Sequence, residues 1–90
     1  MIEVWLTEFS IYEVNVVDGV FRRSARVPGS RDRNPQGSPN LFDGVWLELE
    51  DMGSPVTVVD VAGELCLRIR YKGSTVGLIT SPLVHMVELS

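Results

Sequence analysis

Five of the eight basic residues, Arg22, Arg23, Arg26, Arg31 and Arg33, fall within twelve consecutive positions that hold a single acid, Asp32. That window carries a charge of +4 and the rest of the chain −8, so the molecule is polarised along its sequence. Arginine presents a planar fork of N–H donors that grips carboxylate or phosphate bidentately. A basic block in an acidic chain therefore either steers an anionic partner to one region or folds back and neutralises the chain's own acids. The block runs into "RVPGSRDRNPQGSPN", whose prolines and glycines predict a flexible loop over 28–40. Compact domains rarely keep so long a structureless connection unless it binds something or is simply disordered. Arg22, Arg26, Arg31 and Arg33, with the exposed aromatic Trp46 beyond the loop, are the candidate binding residues.

The catalytic inventory is poor. Nucleophilic catalysis needs a base beside Ser or Cys, yet the one histidine, His85, lies in an apolar run and the one cysteine, Cys66, in a different strand-like segment, on its expected outer face. No Cys/His cluster has zinc-ligand spacing, so no metal is expected. The acids of "ELED", Glu48 to Asp51, read as a salt-bridge ladder with Arg68 and Arg70 rather than a cation site. No G-x-x-x-x-G-K-[ST] segment is present, which excludes a P-loop, and no cofactor is expected.

The scaffold behind these residues is short. Ninety residues make one domain, spanning 1–90, and a chain of this size buries only about 60–65% of its unfolded surface. With 44% hydrophobic and 22% charged residues the composition is that of a soluble globular protein. No apolar run approaches the roughly 18 residues of a membrane helix, and "MIEVWLTEFS" lacks the basic start of a signal peptide. A lone cysteine gives no disulfide framework, so the cytoplasm is the expected compartment and no membrane partner is expected.

Strand patterns fill the rest. Asp18-Gly19 between two β-branched runs predicts a two-residue hairpin turn that sets Val16 opposite Phe21 and Val14 opposite Arg23. Tyr12, Val14, Val16, Phe21, Ala25 and Val27 then share the core face, with Arg23 a misfit among them. "DGVWLELED" alternates, with Val45, Leu47 and Leu49 inward. In "ELCLRIRYK", Leu65, Leu67, Ile69 and Tyr71 point inward and Cys66 outward. Gly73-Ser74 predicts a two-residue turn that sets Val76 opposite Tyr71 and Leu78 opposite Ile69, and Pro82 is expected to interrupt the chain before a last strand. The first and last strands, Ile2 to Phe9 and Leu83 to Leu89, are apolar on both faces, so each is either central in a sheet or covered by another chain. The whole reads as all-β: a small antiparallel barrel or two-layer sandwich of six to seven short strands with one long Pro/Gly/Arg-rich loop.

Arg22-Arg23-Ser24-Ala25-Arg26 resembles the RxxxR arginine pair of PilZ domains, small β-barrels that bind cyclic di-GMP, and "VVDVAGEL" is similar to the strand bearing their D/N-x-S-x-x-G motif. The chain departs from that pattern where Asp60 is followed by Val61, Ala62 and Gly63: the serine is missing and the glycine comes too early. The family's arginines also precede the barrel instead of ending a hairpin within it. No ligand is carried over from a match of about ten residues.

The sequence thus points to a small non-enzymatic interaction module that self-associates and docks an anionic protein surface through its arginines. Many small phage and accessory bacterial proteins share this character. A phosphate-bearing ligand, nucleotide or RNA, held by the same arginines is the alternative, although the loop lacks stacking aromatics. An enzyme with an unrecognised site is the third.

Overall fold

The computed structural model describes residues 2–25 and 44–89, so the 28–40 loop and Arg26, Arg31 and Arg33 lie outside the described residues. What is described is all-β. The strands are β1 (Ile2–Thr7), β2 (Ser10–Asn15), β3 (Val20–Ala25), β4 (Leu47–Glu48), β5 (Val56–Val61), β6 (Glu64–Ile69) and β7 (Leu78–Leu89). They form one antiparallel sheet in the order β4-β3-β2-β1-β7-β6-β5. The sheet curls until its far parts meet. Leu49 bridges Tyr71, with the Glu50 N–H donating to the Arg70 carbonyl at 3.1 Å and the Lys72 N–H to the Glu48 carbonyl at 2.9 Å. Of the two architectures expected, the barrel-like one is therefore present.

The core fills the concave side. Tyr12 and Val14 from β2, Phe21 from β3, Leu49, and Leu67 and Ile69 from β6 are buried together, with Trp5, Leu47, Tyr71 and Leu78 packed against them. Phe21 and Tyr71 meet at a ring separation of 5.6 Å, tilted by 56°, which joins β3 to the chain beyond β6 across the curl. Arg23 shares the inward face and is only 3% exposed, as its place in the alternation demanded.

The first and last strands turn out to be the middle of the sheet. β1 pairs with β2 on one side and β7 on the other, while β7 has a neighbour on both sides only along its length as a whole, β6 up to Pro82 and β1 from Leu83 onward. Pro82 does not interrupt β7. It sits where the strand passes from β6, paired up to Pro82, to β1, paired from Leu83 onward, and the register shifts on both sides there. Proline has no N–H to give a ladder, so a shift of register is where a central strand can carry one.

Buried hydroxyls repair the ladders around this hand-over. Thr80 Oγ1 accepts from the Leu67 N–H at 3.0 Å and donates to the Ser81 carbonyl at 2.7 Å. Ser81 Oγ accepts from the Phe9 N–H at 3.3 Å and donates to Thr7 Oγ1 at 2.8 Å. Thr7 Oγ1 also accepts from the Ser10 N–H at 3.0 Å, and the Glu8 N–H donates to the Pro82 carbonyl at 2.9 Å. Three polar residues in a small core, Thr7, Thr80 and Ser81, are thereby explained as substitutes for ladder bonds that the shifted register cannot make.

Several sequence expectations need correction. The first hairpin pairs Asn15 with Val20 and Val14 with Phe21, so its loop has four residues, Val16 to Gly19, rather than two. The Asn15 side chain opens it, accepting the Asp18 N–H at 3.0 Å through Oδ1 and donating to Asp18 Oδ2 at 3.1 Å, while its carbonyl accepts the Gly19 N–H at 2.9 Å. Because the slip is of two residues the core face is preserved, but Val16 leaves the strand and is 52% exposed. Val45 precedes β4 and is likewise exposed. Leu65 is exposed and Cys66 is fully buried, at the register shift opposite Pro82, its Sγ 3.8 Å from the Glu64 carbonyl oxygen that accepts from it. The third hairpin does set Leu78 opposite Ile69, but the Ser74 N–H donates to the Tyr71 carbonyl at 3.3 Å, which places Gly73 second in the turn with φ at +92° and leaves Val76 exposed. Ala62-Gly63 forms the expected turn between β5 and β6, both residues having positive φ and the Asp60 carboxylate accepting the Gly63 N–H at 2.9 Å.

Candidate interaction surface

The convex side of the sheet is built by alternation. In β1 the inward residues are Glu3, Trp5 and Thr7, in register with Val14, Tyr12 and the start of β2, so Ile2, Val4 and Leu6 face outward. Across the ladders Val4 lies between Glu13 and Val87, Leu6 between Ile11 and His85, and Ile2 between Asn15 and Leu89. The outcome is an apolar band of Ile2, Val4, Leu6, Ile11, Val87 and Leu89 over the centre of the sheet, half-buried on β1 and β2 and exposed on β7.

Arg22 and Trp46 border the band. Arg22 lies opposite Glu13, to which its Nε and Nη2 donate at 2.9 and 3.1 Å, and its guanidinium carbon stands 4.6 Å from the centre of the Trp46 ring. The hydrogen bond to Glu13 and that carboxylate's charge hold the guanidinium pKa above its ordinary value. Arg22 is thus held between Glu13 and the Trp46 ring; the guanidinium has N–H groups beyond the two that Glu13 takes, while Glu13 offsets its field. Of the arginines proposed to bind, this one is visibly paired with the protein's own acid. Trp46 is half-exposed.

The opposite character appears at the end of the barrel beside the first hairpin. A cavity of about 640 Å³ there is lined by Glu3, Asp18, Glu48, Glu50, Asp51 and one cation, Lys72. Lys72 Nζ lies 3.3 Å from both Glu48 and Asp51, and those two carboxylates raise its pKa. Glu50 lies 4.0 Å from Arg70. The expected ladder of Glu48 and Glu50 therefore forms with Lys72 and Arg70; Arg68 instead lies opposite Thr57 and Ile79, because the bridge at Leu49 and Tyr71 sets the register two residues further along. Among the described residues no group of three His, Cys, Asp or Glu side chains is placed to hold a metal ion.

His85 is exposed on the convex side of β7 and Cys66 is buried in β6, so the two do not meet on one surface. Sequence reasoning missed the apolar band as a site. Its signal, two-faced first and last strands, was present, but only the strand order shows that their outward faces adjoin. No helix long and apolar enough to cross a membrane occurs among the described residues. Comparison with protein-family models, curated proteins and solved structures finds no match.

Proposed function

We propose that this protein is a non-enzymatic interaction module of the cytoplasm that self-associates through the surface of β1 and β7 and presents Arg22, Trp46 and the arginines that follow to an anionic protein partner. The observation that carries the reading is the exposed apolar surface of β7 beside the apolar band of β1, where a self-sufficient small domain would place polar residues. Aromatic and arginine side chains at its border are the residue types that anchor interfaces. The charges favour an anionic partner at the arginines and not at the cavity, whose lining is acidic.

Light scattering at micromolar concentration tests self-association, which requires a species heavier than the 10.0 kDa chain; a 10.0 kDa species contradicts it. Replacing Arg22, Arg26, Arg31 and Arg33 with alanine tests the docking role. The wild type is expected to be retained on immobilised polyglutamate and released by salt, and the variant to fold but pass through. Retention on an immobilised oligonucleotide alone would transfer the reading to a phosphate-bearing ligand.

A further inference from the structure

The proposed self-association leaves open which part of the β1–β7 surface meets the second copy, and the inference here rests on that reading. β7 is twelve residues long, but β6 pairs with it only from Leu78 to Pro82. From Leu83 to Leu89 one edge is bonded to β1 and, among the described residues, the other edge meets no strand. Such an edge presents a row of backbone N–H and C=O groups. Natural edges are blunted by lysine, proline or a bulge; the register shift leaves Val84 as a bulge at the start of this segment, and past it "HMVEL" holds neither lysine nor proline and pairs with β1 in unbroken register. Both of its faces are apolar and open, with Val84, Met86, Val87 and Leu89 between 39% and 61% exposed. β5 is the sheet's other margin, but it alternates with Thr57 and Asp60 and starts after Pro55.

We infer that two copies of this chain join edge to edge through the Leu83-to-Leu89 half of β7, antiparallel about a two-fold axis normal to the sheet. An antiparallel edge is complementary to itself under such an axis, so no other partner chemistry is required. The axis keeps convex face beside convex face, which restricts the register to pairs of the same orientation. Charge restricts it further. An axis at Glu88 would set two carboxylates opposite each other, beside the Glu3 that already neighbours Glu88 across the β1 ladder. Since the bulge at Val84 confines the regular edge to His85 through Leu89, the axis passes near its middle, at Met86 or Val87, where apolar side chains meet their own copies. The joined sheets carry one continuous apolar band bordered at both ends by Arg22 and Trp46, a larger platform for the anionic partner than either copy offers alone.

Single cysteines at Val4, Val58, Met86 and Val87 distinguish the arrangements under mild oxidation at micromolar concentration, with buried Cys66 providing the unreactive background in the unsubstituted chain. A disulfide needs Cα atoms within about 7 Å, and residues facing their own copies across the axis satisfy this. Val4, one strand further in on each side, would lie about 14 Å from its copy. Covalent dimer is expected from Met86→Cys or Val87→Cys and from neither Val4→Cys nor Val58→Cys. Dimer from Val4→Cys with none from Met86→Cys, which faces the concave side, would show face-to-face packing of the convex surfaces and overturn the edge inference while self-association stands. Dimer from Val58→Cys alone would move the joint to β5 and also overturn it. A monomeric wild type in light scattering would overturn both.

Discussion

Replacing Thr80 with valine tests the account of the β7 hand-over. Valine matches threonine in shape, so the change opens no cavity; it removes one hydroxyl from a fully buried site. The Leu67 N–H, which donates to Thr80 Oγ1 at 3.0 Å, is left without an acceptor in a residue that is itself fully buried. A buried donor stranded in this way costs about 1–3 kcal/mol. The Ser81 carbonyl loses its 2.7 Å donor as well, at a cost of about 1 kcal/mol, and the gain from burying a methyl in place of the hydroxyl offsets part of the total. The net expectation is roughly 2 kcal/mol, equivalent to a fall in Tm on the order of 10 °C for a domain of this size. Urea unfolding followed through the fluorescence of Trp5 and Trp46 measures it as a lower midpoint at unchanged slope. Thr80→Ser keeps the hydroxyl and deletes a buried methyl group, and should cost only about 1 kcal/mol. A Thr80→Val protein as stable as the wild type, or more stable than Thr80→Ser, would refute the role assigned to the hydroxyl.

Other consequences follow from the same structure. Ser10→Ala should be neutral or slightly stabilising by urea melt despite full burial, because the Ser10 hydroxyl has no hydrogen-bond partner among the described residues to lose. Gly77→Ala should destabilise more than Gly63→Ala in the same assay: both have positive φ, but only at Gly77 would a Cβ meet backbone, 2.8 Å from the Ile69 carbonyl oxygen. Native Cys66 should react with a thiol reagent only as fast as the protein opens, with labelling accelerated in parallel with unfolding by urea, and immediate labelling would contradict its burial. The Lys72 pKa is raised in the folded state by Glu48 and Asp51, so its contribution to stability is fully present below the ordinary lysine range and is lost as pH rises through the folded value. A Lys72→Met variant should therefore lose stability relative to wild type at neutral pH, the difference shrinking at high salt and at strongly alkaline pH; a difference that grows with alkalinity would contradict the pairing.

Alternation carried most of the fold into view. The buried residues Tyr12, Val14, Phe21, Leu49, Leu67 and Ile69 all stand at positions that period two marks as inward, and even the misfit Arg23 is where that pattern puts it. What alternation could not reveal was anything decided by a contact between distant segments. The first hairpin slipped by two because the Asn15 side chain and the Leu49 N–H, which donates to the Gly19 carbonyl at 2.8 Å, favour a wider loop than Asp-Gly alone requires. Cys66, expected outside, is buried where the register shifts beside Pro82, a consequence of joining β6 and β1 to one long strand. The candidate site divides in the same way. Trp46 and Arg22 were identified singly from residue type, but their stacking, the clamp of Glu13 on Arg22 and the apolar band between them and β7 depend on strand order.

Concentration-dependent amide hydrogen exchange along β7 tests the central claim most directly. An edge-joined dimer bonds backbone N–H groups of the segment from Val84 to Leu89 that no described strand engages in the single chain. Exchange in this segment should slow as protein concentration rises through the association range, while the Leu78-to-Pro82 half, already paired with β6, stays constant. Exchange over Val84 to Leu89 that remains fast and indifferent to concentration would contradict the account.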